Sequence, residues 1–98
     1  MKLRNYTIHK SILGKMLGLM FSGKKTIVFE FSHEEKVSLH TFFVFFPIKV
    51  LFLDAQKKIV EQTTMKPFSF YMPQKKAQYV VELPFEVKTK TGEAVKFK

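Results

Sequence analysis

Histidines and carboxylates are the residues of this chain with the chemistry for acid–base catalysis or metal binding. His9, His33 and His40 share no ligand spacing, and the eight carboxylates are scattered over 98 residues. His33 precedes Glu34 and Glu35, but consecutive side chains in a turn point in different directions, so we expect no metal site there. The chain has no cysteine, which excludes disulfides, thiolate catalysis and cysteine-bound metals. We therefore predict neither a metal nor a cofactor.

Two residues of this chain are candidates for proton transfer. Glu82 lies in an otherwise apolar run and is a candidate for an inward-facing acid, and His40 lies within a predicted strand. They can act together only if both reach one concave site. Asp54 is expected to cap a turn. Because no carboxylate stands at a diagnostic interval from a base, we predict that the chain is not an enzyme.

A phosphate-binding loop is one of the named motifs whose spacing the sequence reproduces. Gly18, Gly23 and Lys24 match the G-x-x-x-x-G-K pattern, but Lys25 stands where the loop needs a hydroxyl for the metal. The following residues also predict a strand and not the required helix. We interpret this match as coincidental.

The charge of the chain is strongly basic, with a net charge of +9. Arg4 is the single arginine among 17 basic residues, and lysine makes fewer bidentate contacts to phosphate and guanine than arginine does. This composition favours a solvated basic surface over nucleic-acid reading. The alternative is a polyanion-binding face on which bases stack against aromatic rings. Its candidate residues are Lys24, Lys25, Lys66, Lys75, Lys76, Phe70 and Tyr71.

The elements that would position these residues are mostly strands. The segment from Leu39 to Asp54 is rich in aromatic and β-branched residues, which predicts two buried strands joined at Pro47. A polar turn is predicted over 32–35 and a loop over 66–76. The predicted strands are Leu3–Ile8, Thr26–Phe31, Val37–Phe46, Ile48–Leu53, the edge strand Ile59–Met65, Ala77–Leu83, and a final hairpin of Glu86–Thr91 with Glu93–Phe97.

One helix is predicted near residues 11–21. Ser11 is a plausible N-cap, and apolar residues from Ile12 to Met20 recur at helical spacing. The fold class expected from these elements is mainly β, a small antiparallel β-barrel or sandwich with one short helix. At this length the chain 1–98 is expected to be a single domain. No apolar run reaches the ~20 residues of a membrane span, and we expect a cytoplasmic protein.

Several segments in this order resemble the domain-of-unknown-function family 192, also named uncharacterised protein family 0127, in its archaeal form. They are Gly18–Phe21, Ile27–Phe29, Leu39–Asp54, Lys66–Pro67 and Tyr79–Pro84. The resemblance spans residues 3–97. It implies a compact, mainly β, barrel-like sandwich with a small helix at 18–21, and it implies no activity, because the family has no established one.

The chain departs from the pattern of this family at three positions. Lys49 stands where the family has Asp, Phe43 where bacterial members have Asn, and Phe85 where the family has Gly. If Asp and Asn form a polar site in relatives, this chain lacks both groups. Lys49 joins His40 and Glu82 as the candidate polar site. Because an unpaired buried ammonium is costly, we expect Lys49 to reach solvent or a carboxylate such as Glu82 or Asp54.

Three functions are consistent with the sequence. The first is a non-catalytic binding or accessory module that uses a shallow cleft or an exposed edge, with a protein or small-ligand partner. The second is binding of nucleic acid or another polyanion through the lysine-rich face. The third is a small enzyme that uses His40 and Glu82.

Overall fold

A computed structural model describes residues 1–11, 16–18, 25–41 and 45–97 of the chain. The described residues form strands, turns and loops, with no helix among them. The strands, in chain order, are β1 (Tyr6–Ser11), β2 (Met16–Gly18), β3 (Thr26–Glu35), β4 (Ser38–His40), β5 (Ile48–Leu53), β6 (Ile59–Met65), β7 (Phe70–Tyr71) and β8 (Ala77–Leu83).

Five of the strands form one mixed sheet in the order β1-β3-β8-β5-β6. β1 runs parallel to β3, and the other three pairs of neighbours are antiparallel. The central position belongs to β8, which is the last strand along the sequence. β3 pairs with β8 through a register shift between Glu30 and Glu35, and such bulges bend a strand locally.

Both faces of this sheet are covered, and the sequence of its inner strands explains why. β5 and β8 read as nearly continuous apolar runs, the pattern of a strand buried on two sides. One face carries what we term the outer core, which also contains the terminal residues Leu3 and Val95. Its buried members are Leu3, Val28, Leu51, Leu53, Ile59, Tyr79, Val81, Leu83 and Val95.

The opposite face packs on the second sheet, which has three strands in the order β2-β4-β7. Leu39 of β4 and Tyr71 of β7 contact the same hydrophobic cluster as Val50, Phe52 and Val80 of the large sheet. We term this cluster the inter-sheet core. Burial of these side chains, at about 25 cal/mol per Å² of apolar surface, is the main force that holds the two sheets together.

The predicted mainly β class is confirmed, and the two central strands β5 and β8 have the predicted bounds. β5 begins and ends at Ile48 and Leu53, and β8 at Ala77 and Leu83. β6 lies at the edge of the sheet, as its polar sequence predicted. Both sheets are mixed and not purely antiparallel, because β1 pairs in parallel with β3 in the large sheet and β2 with β4 in the small sheet.

The short helix predicted near residues 11–21 is not confirmed. Met16–Gly18 is a strand paired with β4, and His9 and Lys10 belong to β1 and do not lead into an N-cap. Residues 12–15 and 19–24 lie outside the described part of the chain. Two glycines in this short segment lower its helix propensity by about 1 kcal/mol each, so strand pairing competes well with an isolated helix.

Three other local predictions are corrected by the structure. The polar turn over 32–35 is instead the end of β3, where mostly exposed residues continue the strand and Glu35 pairs with Ala77 of β8. The long strand from Val37 is reduced to β4, and β4 and β5 on either side of Pro47 belong to different sheets; residues 42–44 lie outside the described part. The final hairpin is absent: its second half, Glu93–Phe97, contributes isolated bridges at Ala94 and Lys96, and its first half, Glu86–Thr91, contributes none.

None of the described residues belongs to a helix with the length and apolarity that crossing a membrane requires.

Candidate functional site

The three residues of the candidate polar site lie on different surfaces. Lys49 pairs with Leu83, and Val50 pairs with Glu82, on the neighbouring strands β5 and β8. Because side chains alternate between the faces of a sheet, Lys49 lies on the outer-core face and Glu82 on the inter-sheet face. His40 follows Leu39, which points into the inter-sheet core, so alternation directs His40 to the far face of the small sheet.

Glu82 is a buried acid in apolar surroundings. Its side chain is 5% exposed, and its cross-strand neighbours are Ile27 and Val50. Burial raises the pKa of Glu82 to about 8, and its Oε2 atom has no hydrogen-bond partner among the described residues. The carboxyl group is therefore largely protonated and neutral at pH 7.

Lys49 meets a carboxylate, as expected, but the partner is Glu86. Nζ of Lys49 lies 3.5 Å from Oε1 of Glu86, and the Thr64 hydroxyl donates to Oε2 of Glu86 at 3.1 Å. Asp54 instead caps the turn after β5, where its Oδ1 accepts hydrogen bonds from the backbone N–H groups of Gln56 and Lys58 at 2.9 and 3.0 Å.

The lysines proposed for polyanion binding are divided between two ends of the large sheet. Lys75 and Lys76 are exposed and precede β8. Lys25 precedes β3, whose early residue Ile27 pairs with Glu82 near the opposite end of β8. At ~3.3 Å per residue, the seven residues of β8 separate these groups by roughly 20 Å. Lys66 is at the Lys25 end, and Lys24 lies outside the described residues.

Phe70 and Tyr71, the two aromatic residues proposed for polyanion binding, differ in their surroundings. Phe70 is 47% exposed, whereas Tyr71 stacks on Phe52 with ring centroids 5.7 Å apart. The Tyr71 hydroxyl donates to Glu61, and burial together with this carboxylate raises the pKa of Tyr71 to about 12. Tyr71 is thus part of the core.

Glu61 fastens the loop that follows β7. Its Oε1 accepts hydrogen bonds from the backbone N–H groups of Gln74 and Lys75, both at 2.9 Å. Together with the bond from Tyr71, these contacts hold the loop against β6, a role that the sequence pattern did not indicate.

His33, Glu34 and Glu35 are the residues at which the sequence analysis considered a metal site and expected none. Nε2 of His33 lies 3.7 Å from Oε2 of Glu35, while Oε2 of Glu34 accepts a hydrogen bond from the backbone N–H of Ala55 at 2.8 Å. The two carboxylates point in different directions. Among the residues that the structure describes, no group of three or more metal-ligating side chains occurs.

One end of the five-stranded sheet collects residues that the sequence analysis did not bring together. The strand register aligns Tyr6 with Thr26, Lys49 with Leu83, and Ile48 with Met65 at this end. The segments next to these strand ends carry three exposed cations and three exposed phenylalanines. We term this set the basic end: Arg4, Lys25, Phe45, Lys66, Phe68 and Phe85.

The phenylalanines of the basic end are unusually open to solvent. Phe45, Phe68 and Phe85 are 70%, 55% and 53% exposed. The rings of Phe45 and Phe68 meet edge to face, with centroids 5.2 Å apart. Aromatic side chains dominate binding energetics at interfaces, so this end presents an apolar surface suited to contact with a ligand or partner.

Buried Thr41 holds the turn that carries Phe68. The Thr41 hydroxyl donates to the carbonyl of Lys66 at 2.7 Å and accepts from the backbone N–H of Ser69 at 2.8 Å. The backbone N–H of Phe68 donates to the Thr41 carbonyl at 2.8 Å. Phe68 has a φ of 56°, a left-handed conformation that is rare for a bulky residue and persists only when its surroundings impose it.

A cleft of about 550 Å³ opens at the β1 and β3 side of the basic end. It combines two cations, two threonine hydroxyls and an aromatic ring, with no carboxylate in its lining. The lining residues are Arg4, Asn5, Thr7, Lys25, Thr26, Pro84 and Phe85.

The sequence relationships of the chain agree with this fold. The family model DUF192, described as Uncharacterized ACR, matches residues 7–96. The chain belongs to this family. A UPF0127 protein of Pyrococcus horikoshii is 34% identical over 97 residues, which cover 92% of this chain and 84% of the relative. A UPF0127 protein of Pyrococcus furiosus is 35% identical over 77 residues, which cover 76% of this chain and 66% of the relative.

A solved structure shares the fold of this DUF192 chain. The crystal structure of a Sinorhizobium meliloti protein, described as a putative transcription regulator, superposes with a TM-score of 0.59 at 17% identity. The match covers 79% of this chain and 67% of the other. At this identity the similarity concerns the fold alone.

The departures of this DUF192 chain from the family pattern have different structural settings. Lys49 is accommodated by its ion pair with Glu86, and Phe85, in place of the family's Gly, contributes its ring to the cleft of the basic end. Phe43 lies outside the described residues.

Proposed function

We propose that this DUF192 chain is a non-catalytic binding module and that the basic end is its binding surface. The observation that carries the proposal is the gathering of Phe45, Phe68 and Phe85, each more than half exposed, at one end of one sheet. Large exposed apolar groups that are clustered and rimmed by polar residues mark interaction sites in soluble proteins.

The rigidity of the turn at Phe68 supports a binding role. Hydrogen bonds between Thr41 and the residues Lys66, Phe68 and Ser69 hold this turn, so the backbone that presents the Phe68 ring is already ordered. A segment that is already ordered loses less entropy when a ligand binds, and affinity rises accordingly.

The positions of His40 and Glu82 support the non-catalytic part of the proposal. The two side chains occupy faces of different sheets, and Glu82 is enclosed by apolar neighbours. The test is a set of chromogenic ester and phosphate substrates, against which the wild-type chain is expected to be inactive. Turnover that is lost in both His40→Ala and Glu82→Gln would contradict the proposal.

The binding surface is tested by amide chemical-shift mapping with an anionic aromatic probe, 1-anilinonaphthalene-8-sulfonate. We expect the largest shifts at residues 4, 25, 66, 68 and 85. The matched variant is Phe68→Ser, which removes an exposed ring, with Phe70→Ser as its control on the small sheet. Shifts that centre on residues 54–58 or 74–76, at the opposite end of the large sheet, would place the surface elsewhere and end this proposal.

A second candidate function is the binding of a polyanion, nucleic acid in particular. It is favoured by the presence of Arg4, Lys25 and Lys66 at the same sheet end as the exposed rings. Glu86, which directly follows Phe85, forms an ion pair with Lys49. This pairing reduces the repulsion between Glu86 and an approaching anion.

The arrangement of the two sheets and the location of the chain in the cell complete the proposal. The inter-sheet core joins the two sheets, and this supports a sandwich in preference to a closed barrel. A cytoplasmic location is also proposed, and fractionation of cells that express the chain tests it.

A further inference from the structure

The cleft between the starts of β1 and β3 has a composition suited to an anion. Arg4 and Lys25 supply two positive charges, and the exposed Thr7 supplies a hydroxyl group. Two other clefts of similar size each contain a carboxylate, Glu61 in one and Glu30 in the other. The cleft at Arg4 therefore differs from them in having cations without a competing negative charge.

The backbone around this cleft is fixed on both sides. Leu3 is buried, and its N–H donates to the carbonyl of Lys96 at 2.9 Å, so the residue before Arg4 is anchored. Asn5 adopts a φ of 53°, a left-handed conformation that Asn tolerates better than most residues. Pairing of Tyr6 with Thr26 then sets Arg4 and Asn5 beside Lys25.

The aromatic wall of the cleft is Phe85. It follows Leu83, which is buried in the outer core, and Pro84, whose ring restricts the backbone. Phe85 is 53% exposed, so its ring is accessible to a ligand in the cleft. A planar ring beside two cations matches a ligand that joins a phosphate to an aromatic base.

We propose that this cleft binds one nucleotide of a single-stranded nucleic acid, with its phosphate between Arg4 and Lys25 and its base on Phe85. The proposal deepens the function proposed above and rests on it, because the cleft is one part of the basic end. The strand continues along the sheet end toward Phe45 and Lys66. With strands ~4.8 Å apart, the four intervals from β1 to β6 span roughly 19 Å, enough for about three nucleotides.

The geometry favours unpaired bases over a duplex. Stacking on Phe85 requires the face of a base, and in a duplex these faces are covered by neighbouring base pairs. The guanidinium of Arg4 binds phosphate oxygens in a bidentate manner, which does not depend on sequence. Binding is therefore expected to show little sequence preference.

The experiment measures fluorescence anisotropy of a labelled oligothymidylate of about 12 nucleotides, a length within the range of single-domain sites. Titrations are made between 50 and 200 mM salt, because phosphate contacts produce a steep salt dependence. The Phe85→Ala variant is expected to bind about tenfold more weakly. The double variant Arg4→Ala with Lys25→Ala is expected to lower the slope of log K against log salt by about 1.4, or about 0.7 for each lost contact.

A control of equal charge separates a site from general attraction. The double variant Lys75→Ala with Lys76→Ala removes the same two charges from the opposite end of β8, and its slope is expected to stay near the wild-type value. All five substituted side chains are exposed, and circular dichroism checks that each variant is folded. Equal losses in the two double variants would overturn the proposal, as would the absence of binding at 50 mM salt.

Two competitors distinguish the source of the nucleotide. Unlabelled duplex of the same length should compete at least tenfold more weakly than the single strand, and free thymidine monophosphate should compete more weakly still. Displacement by the mononucleotide at the same concentration as the strand would overturn the strand proposal. If 1-anilinonaphthalene-8-sulfonate maps to the basic end while the oligonucleotide does not bind, the broader proposal stands and this one fails.

Discussion

The substitution Glu82→Gln tests whether the central strand buries a carboxyl group in its protonated form. The pKa of Glu82 is raised from 4.5 to about 8 by burial, and the paired residues Ile27 and Val50 offer no charge that could offset this. The unfolded chain releases the Glu82 proton near pH 4.5, whereas the folded chain keeps it up to about pH 8. The folded state therefore binds more protons across this interval, and its stability must fall as pH rises.

The size of this effect follows from the two pKa values. Stability from the neutral carboxyl is fully present below pH 4.5 and is lost as pH rises through about 8. At about 1.4 kcal/mol per pH unit, the total loss across the interval is about 5 kcal/mol. A loss of this size is comparable with the whole stability of many small domains.

The assay is urea denaturation of the wild type and of Glu82→Gln at pH 5, 6, 7 and 8. The glutamine side chain has the shape of the protonated acid and does not ionise, so the two proteins should have similar stability at pH 5 and diverge with rising pH. The control Glu86→Gln removes an exposed carboxylate and should keep the wild-type dependence on pH. Parallel curves for Glu82→Gln and the wild type would refute the reasoning, because they would mean that Glu82 is solvated or paired in the folded state.

Three further substitutions test contacts elsewhere in the chain. Thr41→Val should lower the free energy of unfolding by about 1–3 kcal/mol because the N–H of Ser69 loses its acceptor, and Thr41→Ser should retain most of the stability; equal values for the two would contradict the role of the hydroxyl. Glu61→Ala should speed amide hydrogen exchange at Gln74 and Lys75 in the native state; unchanged exchange would show that the loop does not depend on Glu61. Phe52→Ala should lower the free energy of unfolding by about 3–5 kcal/mol in denaturant titrations. A loss below about 1 kcal/mol would mean that the side chain at this position is not closely packed.

The strands that the sequence predicted well are those whose signals are local. In β5, Ile48–Leu53, an apolar run stands between Pro47 and the turn residue Asp54. In β8, the apolar run ends at Pro84. Each signal lies within a few residues of the strand it delimits, so single-sequence patterns were sufficient.

The features that were missed depend on residues distant in sequence. β3 continues to Glu35 although its last residues are polar, because the pairing with Ala77 extends it beyond a bulge. The segment after Glu86 looks like a hairpin, yet apart from a turn between Lys90 and Glu93 its backbone-to-backbone hydrogen bonds go to distant residues. These partners are Met1, Leu3, Lys57 and Ile59. Local propensity is overridden in both places by tertiary partners.

The candidate site was difficult to predict for the same reason. Arg4, Lys25, Phe45 and Phe85 are separated by up to 81 positions, and only the sheet order and register bring them to one end. Lys66 was instead grouped with Lys75 and Lys76 because the three residues are close along the chain. In the structure Lys66 lies at one end of the sheet, and Lys75 and Lys76 lie at the other. Lys49 and Glu82 were assigned to one site because both are polar residues in apolar runs, but strand alternation places them on opposite faces.

The central place of β8 also has a consequence for biosynthesis. The strand that joins β3 to β5 is the last of the eight described strands along the sequence, so all residues up to Leu83 must leave the ribosome before the sheet can assemble. Until then the apolar residues of β3 and β5 have no neighbour between them, and the nascent polypeptide is exposed to aggregation. The sheet is consequently expected to assemble only once β8 is available, at the slow rate typical of non-local topologies, and a truncation before residue 77 should yield an insoluble product.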